Sequence, residues 1–156
     1  MTNLQSLEFF VPELILVITI VAALITDLFL KRSKTDVVGW VLGIGLIVVA
    51  LSIINLRHVP PTTLFLDMIV IDPFSSFIKL VVILSTILII IASWNNDELK
   101  DYRKGEYFTI MGIMVIGLFL MASSIDIIML YIAIEVVSIM SFILAAYLKL
   151  NTRSNE

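Results

Sequence analysis

The chain has 156 residues, of which 60% are hydrophobic and 15% charged, and its mean hydropathy is +1.12. A soluble domain is only about half apolar, so lipid is the expected solvent for most of this chain. The absence of cysteine excludes disulfides and thiolate-held iron–sulfur clusters or zinc from it, and the net charge of −3 gives no basic footprint for nucleic acid. Any redox chemistry associated with this protein is therefore expected in a partner.

Five apolar runs can cross the roughly 30 Å of bilayer hydrocarbon, which takes about 20 helical residues. They cover residues 12–30, 37–56, 73–94, 107–122 and 127–148. None alternates polar and apolar residues as a membrane β-strand does, and a helix satisfies its own backbone polar groups in lipid. The predicted fold class is all-α: a polytopic transmembrane bundle of five spans, forming a single transmembrane domain over residues 1–156.

Local signals predict how these helices begin and meet. Asp72 before Pro73 is typical of a capped helix start, where the missing N–H of proline costs nothing. The connection 123–126 is so short that the fourth and fifth helices are expected to be antiparallel neighbours. Gly39 and Gly43 form a G-x-x-x-G pattern in the second helix, which predicts a close-packing face for another helix.

Basic residues predict the orientation in the membrane. With five crossings, only Arg57 falls on the first helix's starting side and Lys79 lies inside the third helix. The other side receives the remaining basic residues: Lys31, Arg32, Lys34, Lys100, Arg103, Lys104, Lys149 and Arg153. Because cytoplasmic loops are enriched in lysine and arginine, the N-terminus is expected outside and the C-terminus in the cytoplasm.

Glu135 is the most informative residue, because it lies near the middle of the fifth predicted helix. By helical rise it is ~13 Å from Asp126 and ~20 Å from Lys149. A charge at that depth costs ~2.5–3.5 kcal/mol or more, so it normally faces a bundle interior or a wet cavity and has a function. Tyr131 and Ser138 share its helix face and could hydrogen-bond it. Two interpretations stay open: a proton relay, or a structural hydrogen bond between helices made by the protonated acid.

Lys79 is the second candidate, seven residues into the third helix. Its long stem could reach the outer boundary or a structural ion-pair partner, and a charge-relay role is the alternative interpretation. Glu13, in the first turn of the first helix, is favoured by the helix dipole. Asp27 precedes Lys31 by four residues, which is a good helical pair. The interpretation of Glu13 and Asp27 is mainly structural.

The stretch 117–135 (GLFLMASSIDIIMLYIAIE) resembles the helix-four to helix-five region of subunit N of NADH-quinone oxidoreductase, the respiratory complex I. Shorter similarities to this antiporter-like subunit are PELIL at 12–16 with DLF at 27–29, DPFSSFIK at 72–79, GEY at 105–107 and RSNE at 153–156. The resemblance runs over essentially the whole chain.

This resemblance implies a membrane-arm subunit, in the plasma (inner) membrane, that translocates protons while other subunits oxidise NADH with quinone. The implied cofactors are NADH, FMN, iron–sulfur clusters and quinone in those partners, and none in this chain. In the family the helix-five glutamate, which Glu135 matches, pairs with a lysine on a later, broken helix; a lysine is allowed at the position of Lys79, with a less settled role. Members have many more helices, arranged as inverted repeats. The chain is therefore expected to be the N-terminal part of such a subunit, and its expected partners are the missing C-terminal part, other membrane-arm subunits and lipid.

Two other functions fit the same residues. A subunit of a multi-subunit cation/proton antiporter shares the helix-five glutamate, and its genes would have different neighbours. A non-catalytic membrane fragment that serves only in packing would tolerate replacement of Glu135 by glutamine.

Overall fold

The computed structural model describes residues 3–29, 36–58, 60–93 and 104–147. A short helix, α1 (Asn3–Phe9), precedes five long ones, which are α2 (Val11–Phe29), α3 (Asp36–Asn55), α4 (Pro73–Ser93), α5 (Lys104–Ser123) and α6 (Ile127–Tyr147). All five long helices are apolar and long enough to cross a membrane, which confirms the number and type of the predicted spans. Apart from Arg57, Lys79 and Lys104, the basic residues that predict the orientation lie outside the described residues.

A small β-hairpin, which the sequence did not predict, connects α3 to α4. Its strands are β1 (Thr62–Leu64) and β2 (Ile69–Ile71), paired antiparallel with Thr62 opposite Ile71. Three consecutive residues of its turn, Phe65, Leu66 and Asp67, have φ angles of 52°, 57° and 65°. Non-glycine residues rarely adopt this left-handed region, and strands of three residues are too short to show a period of two.

The hairpin packs over one end of the bundle. The ring of Phe65 meets Phe10 edge to face, with centroids 5.2 Å apart, and its amide donates to the Ser6 hydroxyl of α1 at 3.3 Å. The amide of Ile125 donates to the Met68 carbonyl at 3.0 Å, so the turn between α5 and α6 is held by the same hairpin. We call this the hairpin end: α2, α4 and α6 begin there, and α3 and α5 end there.

Two carboxylates cap helices at the hairpin end. The amide of Ser75 donates to Asp72 Oδ1 at 2.7 Å, which confirms the predicted cap of α4. Asp126 Oδ2 accepts from the amides of Ile128 and Met129 at 2.9 and 3.2 Å, at the start of α6. As the short connection predicts, α5 and α6 pack side by side.

The hydrophobic core lies among α2, α3, α4 and α5, with α5 in contact with every other long helix. Its residues include Leu16, Ile20, Leu42, Leu46, Val115 and Phe119. In contrast, α6 packs mainly on α5, and Ala133 is its single buried residue. Among the described residues, one side of α6 is therefore open.

The glycines of α3 differ in their surroundings. A Cβ atom at Gly45 would collide with the side chain of Thr19, so this glycine lets α2 and α3 approach closely. A Cβ at Gly39 would press on the ring of Phe108, whereas one at Gly43 would meet nothing within 4 Å. Of the two glycines in the predicted G-x-x-x-G face, Gly39 therefore has a close neighbour and Gly43 has none in the described part of the chain.

Candidate functional site

Lys79 lies on the buried face of α4. Buried residues recur on this helix every three or four positions, and they are Ser75, Ser76, Lys79, Ile83, Thr86, Ile90 and Ser93. A helical side chain leans toward the N-terminus of its own helix, which here is the hairpin end. The ammonium group of Lys79 therefore points toward the hairpin end, where α2 also begins.

Glu13, in the first turn of α2, is the partner of Lys79. The Nζ atom of Lys79 donates to Glu13 Oε1 at 2.6 Å, and each side chain is only 5% exposed. Helices α2 and α4 each pack chiefly on α3 and α5, so the ion pair joins two helices that have few other contacts. Of the alternatives for Lys79, the ion pair is present, and the charge-relay role stays a prediction.

A small cavity adjoins this ion pair at the hairpin end. Besides Glu13 and Lys79, its lining is Phe9, Pro12, Ile53, Leu56, Ile71 and Ser76. Its volume of about 10 Å³ is at the lower end of the ~10–15 Å³ that one water molecule needs. The fully buried ring of Phe119 does not line the cavity, yet its centroid lies 5.8 Å from Lys79 Nζ, within the range of a cation–π contact.

Glu135 lies near the middle of α6 and is exposed. The described residues do not enclose it, and the expectation that it faces a bundle interior or a wet cavity stays a prediction. Tyr131 is 65% exposed, and within the described ranges Glu135 makes no hydrogen bond or ion pair with it or with Ser138. The exposed large apolar side chains of the same helix include Ile128, Ile132, Ile134 and Phe142. Its proton-relay role stays a prediction.

Asp27 lies at the opposite end of α2 from Glu13. A Cβ at Gly105 would collide with its carboxyl group, so the carboxyl lies against the start of α5. Lys31, the predicted helical partner of Asp27, lies outside the described residues. In the described ranges no three histidine or acidic side chains come close enough together to hold a metal ion.

Comparison with known proteins decides the family. No family model matches the chain. It is 39% identical over 150 residues to NADH-quinone oxidoreductase subunit N 2 of Chloroherpeton thalassium, a match that covers 94% of this chain and 29% of the relative. It is 32% identical over 146 residues to subunit N of Dehalococcoides mccartyi, covering 92% and 29%. The chain belongs to the subunit N family.

The subunit N family also includes proteins with a different electron donor in their name. The chain is 30% identical over 160 residues to F(420)H(2) dehydrogenase subunit N of Methanosarcina mazei, covering 98% of this chain and 32% of the relative. The chain thus spans about 30% of the length of these relatives. With its five apolar helices, the chain described here is a multi-pass membrane protein.

Sequence reasoning found Lys79 but missed Glu13 as its partner. The first-turn position of Glu13 has a sufficient local explanation in the helix dipole, so nothing in the local pattern called for a second role. One signal was available: both residues lie near the starts of helices that begin on the same side of the membrane. An acid and a base at similar depth are candidates for a pair, because a lone intramembrane charge is costly.

Proposed function

We propose that this chain is part of a membrane-arm subunit of an NADH-quinone oxidoreductase and contributes to proton translocation coupled to electron transfer from NADH to quinone. In this proposal Glu135 is a proton relay, and the redox centres belong to other subunits that bind NADH, FMN, iron–sulfur clusters and quinone. The observation that carries the proposal is the similarity to subunit N proteins along 92–98% of the chain. The cation/proton antiporter alternative receives no such support from the relatives named above.

The open side of α6 supports a role for Glu135 that requires further protein. A carboxylate in the middle of a 21-residue apolar helix is too costly to leave against lipid, yet no side chain in the described ranges covers it. Since the chain spans about 30% of its relatives' length, the remaining part of the subunit is the proposed cover, and it would provide the base with which Glu135 exchanges its proton. Other membrane-arm subunits and lipid would surround the assembled subunit.

The proposed orientation follows from the basic residues. The hairpin end faces outward with the N-terminus, and the opposite end, where Lys104 and Asp27 lie, faces the cytoplasm. Reporter tags at the two termini test this: the proposal requires them on opposite sides of the membrane, and tags on one side would refute it.

The proposed function is tested in membrane vesicles that contain the assembled complex with Glu135→Gln. NADH-driven acidification, measured with a pH-sensitive dye, is compared with the rate of quinone reduction in the same vesicles. We expect proton pumping to fall by about tenfold or more, since a positioned proton-transfer group typically contributes 10²–10⁴-fold. The matched control is Glu8→Gln, which removes an exposed acid of α1. Unchanged pumping in Glu135→Gln would favour a packing role and overturn the proposal.

A further inference from the structure

We propose that Glu13, Lys79 and the water-sized cavity beside them form a second proton-exchange site, at the hairpin end of the bundle. This inference rests on the proposed function of proton translocation, and it concerns a different part of the chain from Glu135. Its basis is the juxtaposition of a buried ion pair with a cavity that can hold a water molecule.

Stability is a poor explanation for this ion pair. Two charges whose side chains are each only 5% exposed have lost most of their hydration, and their attraction recovers that loss only in part. An apolar pair of similar volume commonly serves a protein's stability as well or better. Ionisable residues inside membrane helices are therefore functional candidates by default, and here the partner is identified.

The cavity supplies the third component. A buried water molecule needs two to four polar partners, and three polar side chains line this space: Glu13, Lys79 and Ser76. Ser76 is buried and lies one helical turn before Lys79, on the same face of α4. The remaining lining is apolar, so a water molecule there would be held by these three groups.

The proposed exchange balances one proton. The short hydrogen bond allows the proton to move from Lys79 Nζ to Glu13 Oε1, which leaves a neutral amine and a neutral carboxylic acid. The acid then releases the proton to the cavity water and becomes a carboxylate again. The amine takes up one proton from a water molecule or an acid that the proposal assigns to the rest of the assembled subunit, and this restores the ion pair. One proton enters at Lys79 and one leaves at Glu13, with no other reactant.

Phe119 adds an aromatic contact to this site. Its ring centroid lies 5.8 Å from Lys79 Nζ, within the range of a cation–π contact, and the ring is not part of the cavity lining. The cavity lies at the hairpin end and both members of the pair line it, so a water molecule there can exchange a proton with the Glu13 carboxyl group. This arrangement suits a terminal site, where protons leave or enter at one membrane surface.

The test uses two variants in the assembled complex, in membrane vesicles. Lys79→Arg preserves a positive charge for Glu13 but cannot give up its proton, because an arginine stays protonated in proteins. The double variant Glu13→Gln with Lys79→Met removes both charges and leaves neither one buried alone. Quinone reduction reports assembly, and the number of protons pumped per electron reports exchange. Glu8→Gln is the control, since Glu8 is exposed and outside the cavity.

We expect both variants to assemble and to reduce quinone, with protons pumped per electron lowered severalfold. A structural pair would behave differently, because arginine or the neutral pair would preserve both readouts. Normal pumping in the double variant therefore overturns the inference, and so does failure of both variants to assemble, which assigns the pair to packing. Glu135→Gln is measured in parallel: if it abolishes pumping while the double variant pumps normally, the inference alone fails. If Glu135→Gln pumps normally, the proposed function itself fails.

Discussion

Two intrahelical acids of this chain have opposite surroundings. Glu13, near the end of a span, lies inside the bundle, 2.6 Å from the ammonium group of Lys79. Glu135, in the middle of a span, lies on the open side of α6 with no partner in the described ranges. Depth along a helix therefore predicts what a charge costs, but not which side of the helix the protein covers. Within the described residues, Glu13 has an ion-pair partner and Glu135 has none.

The glycines of α3 make the same distinction with no charge involved. Gly45 lies where α2 and α3 approach closely, against Thr19. Gly43, two positions earlier, faces open space in a groove that Trp40, Ile44 and Ile47 help to line. Gly45 thus lies at a contact between two helices of the chain, whereas Gly43 lies on a surface that the described residues leave uncovered.

The largest effect is expected from Lys79→Met alone. This change leaves the Glu13 carboxylate buried without its partner, and breaking a buried pair costs about 3–5 kcal/mol. The free energy of unfolding of the chain in mixed detergent micelles measures it. The double variant with Glu13→Gln is expected to recover most of the loss, and equal losses in the single and double variants would contradict the assigned pair.

Gly45→Ala should have the next largest effect. The added methyl group would collide with Thr19 and push α2 and α3 apart, at a cost of about 1–3 kcal/mol for overpacking. Gly43→Ala is the matched control on the same helix; we expect no loss there, and a gain of up to ~1 kcal/mol from helix propensity. Both are measured by unfolding in micelles, and equal effects of the two changes would refute the assigned crossing of α2 and α3.

Asp72→Ala should destabilise the chain by about 1 kcal/mol, because the amide of Ser75 loses its capping acceptor. The thermal midpoint of the helical circular dichroism signal reports this loss. Asp126→Ala removes the equivalent cap from α6, the helix of Glu135, and allows the two regions to be compared. A neutral result for Asp72→Ala would mean that the cap contributes nothing to the helix that carries Lys79.

The smallest effect is expected from Glu135→Gln on the stability of the 156-residue chain by itself. Since this side chain is exposed and makes no polar contact in the described ranges, the free energy of unfolding should change by less than about 0.5 kcal/mol. The measurement is the same titration in micelles. A loss comparable to that of Lys79→Met would show that Glu135 has a partner within this chain, and would end the contrast between the two acids.

Composition and local pattern were sufficient for the one-dimensional features of this protein. The apolar runs predicted five membrane-spanning helices, because a bilayer imposes both length and hydrophobicity on each one separately. The cap at Asp72 was also predictable, since its partner Ser75 is three residues away. The hairpin was not, because its strands are short and depend on contacts with Ser6, Phe10 and Ser124.

What only the tertiary structure decided is which side of each helix is covered. Glu13 and Lys79 are 66 positions apart, and local pattern cannot report a contact over that separation. Helix α6 is hydrophobic on all sides, so its sequence does not indicate which side contacts the neighbouring helices. In lipid, both covered and uncovered faces are apolar, and the usual pattern that separates core from surface is lost. The pairing of Lys79 and the exposure of Glu135 therefore follow from how the helices pack.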